Sequence, residues 1–200
     1  MRRPPPQHHV PPTTASRRWI ARSAPTTSYN SPVHPTLRAP IHAACFDWGG
    51  TLMSEDGPAD LPMGAWPEVR AMAGAHEALA LLHGRIPLCI ATNAAVSDRS
   101  KVERALARVG LARFFSHVFC FTEVCARKDE ASFWQAVSTQ LRVPLASVAM
   151  VGDSLEQDVL GPARFGVQAV WFNATGPVAP EPVRTVEQLP EFSRLVLQAC

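Results

Sequence analysis

Three aspartates, a Thr-Asn pair and one lysine are the residues of this chain whose types and spacing could do chemistry. Asp47 closes an apolar run and is followed by Trp48-Gly49-Gly50-Thr51. Thr92 and Asn93 close another run, and Gly152-Asp153 closes a further one, with Asp158 shortly after. Lys128 is one of only two lysines in the chain. Carboxylates brought together repel one another unless a cation or a shared proton compensates. Oxygen-only donors suit Mg²⁺, which keeps several waters and takes one or two carboxylates plus phosphate oxygens. A lysine beside an aspartate fits phosphate binding and charge neutralisation. The chemistry these residues suggest is phosphoryl transfer, with Asp47 as the candidate nucleophile.

For these residues to meet, the ends of several strands must share one edge. Apolar runs at 41–47, 86–92, 117–121, 147–151 and 167–172 read as five strands. Helical spacing of apolar residues predicts helices over 67–83, 97–109, 129–141 and 154–165, and a last one over 187–197. Ser97 is the expected N-cap of the second helix and Gly110 its stop, while Gly161-Pro162 interrupts the fourth. Apolar strands alternating with helices imply an α/β fold, a mostly parallel sheet covered on both faces. Ligands of such sheets sit beyond the carboxyl ends of the strands. Asp47, Thr92-Asn93 and Asp153 all fall at such ends, and Lys128 precedes the helix after the third strand.

The run Phe46-Asp47-Trp48-Gly49-Gly50-Thr51-Leu52 resembles the first motif of the haloacid dehalogenase (HAD) superfamily of phosphohydrolases. Ala91-Thr92-Asn93 resembles the second motif, and Val151-Gly152-Asp153-Ser154-Leu155-Glu156-Gln157-Asp158 the fourth. Lys128 matches the lysine of the third, with Asp129 where a proline commonly follows. The resemblance covers about 41–173 and implies a Rossmannoid three-layer sandwich with a sheet of about five strands. It implies that Asp47 attacks phosphorus, that the Thr92 hydroxyl holds the phosphate, and that Lys128 neutralises its charge. The amides following Asp47 and Thr92, at Trp48 and Asn93, would hold phosphate oxygens. Mg²⁺ would be bound by the carboxylates of Asp47 and Asp153 and the backbone carbonyl of Gly49, with Asp158 supporting it from behind.

One position departs from that pattern. The family usually carries a second Asp two residues after the nucleophile, which protonates the leaving group and then activates water. Here that position is Gly49. Metal binding through a carbonyl is expected to survive, but acid–base help, typically worth about 10²–10⁴-fold, is not. Glu55 and Asp56 are near in sequence and read as solvated loop charges. The expected function is a Mg²⁺-dependent phosphatase, a phosphoric monoester hydrolase working through an aspartyl-phosphate, slowed by the missing group. The alternative is a catalytically impaired phosphate-binding or regulatory protein on the same fold.

Neighbouring chemistries fit less well. The Gly152-Asp153…Asp158 pattern favours a metal and phosphorus over the metal-free attack on carbon of the haloacid dehalogenases proper. The first motif also resembles that of phosphonoacetaldehyde hydrolases, but no lysine lies between 52 and 91 to form their Schiff base. A phosphate-accepting receiver domain would carry its acceptor on the third strand, which ends in Phe121-Thr122-Glu123. The intervals from Asp47 to Thr92 and from Thr92 to Lys128 leave no room for a separate cap domain, only a flap at 52–66. An open site suits a bulky phosphorylated substrate, or is closed by a second subunit of a homo-oligomer.

Residues 1–40 stand apart from the rest. They hold nine of the nineteen prolines and six arginines, without Asp or Glu. Such a segment buries too little surface to offset its ordering entropy, so 1–40 is expected to be a disordered extension and 41–200 the hydrolase domain. An organellar transit peptide and a start set too far upstream are the other readings. Residues 41–200 carry thirteen basic against seventeen acidic groups, which argues against a nucleic-acid partner. No apolar run approaches about 18 residues, so no membrane-spanning helix is expected. Five cysteines without a CxxC pair fit reduced thiols and a cytoplasmic location. His76 and His83 read as surface or partly buried residues, and Trp66, Trp134 and Trp171 as core. Trp48 either walls the site or simply packs.

Overall fold

Strand β1 (Ala43–Phe46) is buried at every position, as a central strand covered on both faces must be. The computed structural model describes residues 36–38, 40–174, 176, 178–180 and 182–200. The expected disorder of 1–40 thus falls outside the described residues for 1–35 and 39. β1 lies between β2 (Leu88–Thr92) and β4 (Val148–Gly152), with β3 (His117–Cys120) beyond β2. On the other side follow β5 (Gln168–Phe172) and the two-residue β6 (Thr185–Val186). The order is β3-β2-β1-β4-β5-β6, and every pairing is parallel.

Alternation along the strands supplies two cores. Ala44 and Phe46 face one layer, built from α1 (Ala75–Leu82), α2 (Arg99–Arg108) and α6 (Leu189–Gln198). Cys45, Cys89 and Met150 face the other, where α4 (Ala131–Leu141) brings Phe133, Trp134 and Val137. The short α3 (Phe121–Val124) follows β3 directly. After β4 comes a π-helical stretch, Leu155–Leu160, running into α5 (Gly161–Ala163). The Gly161 N–H reaches back to the Glu156 carbonyl, which widens the turn just where Pro162 lacks a donor of its own. This is a three-layer α/β sandwich, and the described residues form one compact unit without a separate cap. Among them no helix is long and apolar enough to cross a membrane.

Four expectations need correction. The sheet has six strands, because β6 is too short to carry an apolar pattern. The first helix begins at Ala75, not at 67. Residues 67–74 instead lend their backbone to the loop before them: Ser54 N–H donates to Arg70 C=O and Met72 N–H to Leu52 C=O, both at 2.9 Å. Gly74, at φ 78°, turns the chain into the helix. The flap therefore spans about 52–74. The second helix is capped by Asp98, whose carboxylate accepts the Lys101 N–H at 3.0 Å, while Ser97 is buried. Lastly, residues 36–38 belong to the fold: Leu37 packs in the core, and Arg38 bonds the Gln168 side chain through its N–H and its C=O.

Candidate active site

All eight residues singled out from the sequence line one cleft of about 490 Å³ at the carboxyl ends of the strands. Asp47 is the first residue past β1, and its N–H is held by the Val151 carbonyl at 2.9 Å. Among the described residues the next two N–H groups, of Trp48 and Gly49, meet no acceptor. Unpaired backbone donors beside a carboxylate are an arrangement for an anion. Trp48 walls the cleft and also packs in the core, 3% exposed, and its indole N–H has no partner among the described residues. Gly50 sits at φ 70°, and a side chain there would run into the Asp153 carboxylate.

Thr92 and Asn93 end β2. The Thr92 hydroxyl accepts the Ala94 N–H at 3.2 Å. Asn93 ties the end of β2 to the loop before α4 and to the π-helical stretch after β4: its Oδ1 accepts the Lys128 N–H and its Nδ2 donates to Gln157 Oε1, each at 2.9 Å. Lys128, between α3 and α4, is 2% exposed. Its Nζ donates at 2.5 Å both to Asp47 Oδ1 and to Asp158 Oδ1. Asp158 is buried and accepts the Ser154 N–H on its other oxygen at 2.9 Å. Asp153 is exposed at the mouth.

Oxygens of Asp47, Asp153 and Asp158 lie within 4.8 Å of one another. Among the described residues Lys128 is the one cation paired with these carboxylates, so the ionised cluster has negative charge in excess. Burial pushes the Asp47 carboxyl up to about 7, with Asp158 and Asp153 adding to the effect and Lys128 opposing it. Burial and then the Asp158 charge also raise Asp153. Burial works against the charge of Lys128, but Asp47 and Asp158 outweigh it and hold the ammonium above its ordinary value. An oxygen-only donor set with uncompensated negative charge fits a hard divalent cation such as Mg²⁺. The Gly49 carbonyl accepts no hydrogen bond among the described residues, which leaves it available as a further donor.

The sequence reading passed over several residues of the cleft. The Thr51 hydroxyl accepts the Asp153 N–H at 3.0 Å and lies 3.2 Å from Asp153 Oδ1 and 3.4 Å from Asp47 Oδ2, joining the two strand ends. Its place in the Gly-Gly-Thr turn was the available signal. Arg127 lines the cleft beside Lys128, with its guanidinium over the Phe121 ring at 5.0 Å. Glu55, expected to be a solvated loop charge, lines the cleft too, while Asp56 turns outward to Ser54 and Arg70. Burial and then the Asp153 charge raise the Glu55 carboxyl. Outside the cleft, His76 and His83 both pack edge-on against the Phe114 ring.

Comparison with known proteins agrees with this architecture. Residues 63–166 match the family of haloacid dehalogenase-like hydrolases, a span that holds Thr92, Lys128, Asp153 and Asp158 and starts after Asp47. Over 106 residues the chain is 28% identical to the pyrimidine 5'-nucleotidase PynA of Streptococcus pneumoniae, covering 52% of this chain and 44% of that protein, so it spans less than half of that relative. The crystal structure of a HAD phosphatase from Thermococcus onnurineus superposes with a TM-score of 0.66 at 20% identity, over 80% of this chain and 99% of that one. The magnesium-bound HAD-hydrolase YfnB of Bacillus subtilis gives a TM-score of 0.57 at 22% identity, over 64% of this chain and 56% of that one. The fold is common to these two structures, and the family match across more than half of the sequence is decisive: the chain belongs to the haloacid dehalogenase-like hydrolase family.

Proposed function

We propose that this hydrolase is a Mg²⁺-dependent phosphoric monoester hydrolase that works through an aspartyl-phosphate on Asp47. The observation that carries this reading is the Asp47 carboxylate at the floor of a polar cleft, gripped by the buried Lys128 with Asp153 and Asp158 alongside. Lys128 holds one Asp47 oxygen, and the other has only the Thr51 hydroxyl, at 3.4 Å, to leave before it can attack. The free N–H groups of Trp48 and Gly49, the Thr92 hydroxyl and the Lys128 ammonium offer donors to the phosphate oxygens. Asp47, Asp153 and the Gly49 carbonyl would hold Mg²⁺, and Asp158 would steady the site through Lys128. Bound there, Mg²⁺ would neutralise phosphate charge and let the Asp47 carboxylate approach phosphorus. The likeness to a pyrimidine 5'-nucleotidase supports a phosphate ester as substrate. The open cleft favours a bulky one, and the free cysteines favour a reducing, cytoplasmic setting.

Turnover of a panel of phosphate esters, with and without Mg²⁺, tests the proposal. Wild type is expected to release phosphate only with the metal, and Asp47→Asn is expected to release none. Beryllium fluoride, which mimics an acyl phosphate, should raise the melting temperature of wild type and not of Asp47→Asn. Normal turnover by Asp47→Asn overturns the covalent mechanism. Phosphate binding without turnover of any ester would instead support the non-catalytic reading that Gly49 raises.

A further inference from the structure

Two residues after Asp47 the chain has no side chain, yet that space is filled. The first atom a Cβ on Gly49 would meet is Glu55 Oε1, and on another side it would touch Met63 Cε at 3.2 Å. The Glu55 carboxylate thus occupies the volume in which a side chain on Gly49 would begin. The backbone delivers it there. Gly50 N–H donates to Met53 C=O and Met53 N–H to Trp48 C=O, both at 2.9 Å, which folds 48–53 back on itself. Met53 also pairs with Ala71, so the residues just before Glu55 are held from two sides. The Gly57 N–H then closes a tight turn on the Glu55 carbonyl at 2.9 Å.

The carboxylates of the cleft differ in what engages them. Lys128 and Thr51 engage Asp47, Lys128 and the Ser154 N–H engage Asp158, and Thr51 engages Asp153. Among the described residues the Glu55 carboxylate has neither a hydrogen bond nor an ion pair, although it faces the same cleft. Asp56, its neighbour, is spent on Ser54 and Arg70 at the surface. A carboxyl free of partners, in the cleft of the nucleophile and against the residue two positions after it, is placed to pass a proton.

We infer that Glu55 is the acid–base group of the reaction at Asp47, reaching from the flap into the place that Gly49 leaves open; the inference rests on the phosphatase reading above. In the first half-reaction an Asp47 oxygen bonds to phosphorus. The bond from phosphorus to the ester oxygen breaks with its electron pair on that oxygen, which takes the proton of the Glu55 carboxyl. In the second half the Glu55 carboxylate takes a proton from water, and the water oxygen bonds to phosphorus. The bond from phosphorus to Asp47 breaks and returns its electron pair to the carboxylate, with Glu55 protonated again.

Leaving-group dependence in the full-length protein with Mg²⁺ tests this. An alkoxide needs a proton to leave, and p-nitrophenolate needs little help. Glu55→Gln keeps the size of the side chain and is expected to lower kcat/KM for an alkyl phosphate by about 10²-fold and for p-nitrophenyl phosphate by less than about 10-fold. Its kcat should fall for both esters, because the water step is shared. Adding Gly49→Asp to Glu55→Ala returns a carboxylate to the same space and should recover part of the alkyl ester activity. An equal loss of kcat/KM on the two esters, or no loss, overturns the inference. So does a lost Mg²⁺-dependent rise in melting temperature in Glu55→Gln, which would make Glu55 a metal ligand. If Asp47→Asn and wild type turn over p-nitrophenyl phosphate alike, the phosphatase reading falls and this inference with it. If Asp47 is required and Glu55 is neutral, only this inference falls.

Discussion

Lys128 shows how this site trades stability for chemistry. One buried ammonium serves two buried carboxylates, with a third nearby, so the folded state holds charge that it would shed if it could. Removing one carboxylate should relieve this, because Lys128 keeps Asp158 as a partner. We expect Asp47→Asn to melt in Mg²⁺-free buffer at or above the wild-type temperature while losing all turnover. Removing the ammonium has the opposite sign. Lys128→Met leaves two buried carboxylates without their cation and should cost about 3–5 kcal/mol, read from denaturant unfolding. A variant pair that moves in the same direction would contradict this charge balance. Asp47 and Asp153 were legible in the sequence because each closes an apolar run, and Lys128 and Asp158 because of the motifs they match. Glu55 was not, since its role depends on how a flap folds back, and neither composition nor period encodes that path.

At the scale of elements, the strands were the most legible, because residues buried on both faces leave continuous apolar runs such as Leu88–Thr92. Helix starts were harder, because apolar spacing continues through residues whose backbone is engaged elsewhere. Met72 fits the helical period of α1, yet its N–H belongs to Leu52. The helix can begin only once Gly74 has turned at φ 78°. That requirement is testable at this one residue. Gly74→Ala forces a Cβ into the left-handed region, which costs about 1–2 kcal/mol, and brings it to 2.9 Å from Pro190 Cδ at the start of α6. Since 1 kcal/mol corresponds to roughly 2–4 °C in a chain of this size, the melting temperature should fall by at least about 2 °C. Neither Gly74 nor Pro190 lines the cleft, so kcat on an activated ester should be unchanged at temperatures below the transition. An unaltered melting temperature would show that α1 does not depend on this turn.

For the molecule as a whole, the composition break at Pro40 is not where the fold begins. Residues 36–38 form a strap across the start of β5. Leu37 is 7% exposed, and burying a leucine is worth about 1.5–3 kcal/mol. Arg38 exchanges two hydrogen bonds with the Gln168 side chain, at 2.6 and 2.7 Å, and Thr36 C=O accepts from Arg184 Nε at 3.2 Å. At about 1 kcal/mol net for each bond, the favourable side comes to about 5 kcal/mol. Ordering three residues at the lower bound of about 1 kcal/mol each leaves a net gain of roughly 2 kcal/mol. A protein beginning at residue 36 should therefore melt with the full chain, and one beginning at 41 a few degrees lower. Leu37→Ala loses most of the burial, and since a weakened strap can detach, it should lower the melting temperature of the full chain by up to, but no more than, deletion to residue 41 does. The strap lies away from Asp47, so both changes should leave kcat on an activated ester unaltered at temperatures below the transition. Equal melting of the forms beginning at 36 and at 41 would mean that the strap contributes nothing, and that the fold begins where the prolines end.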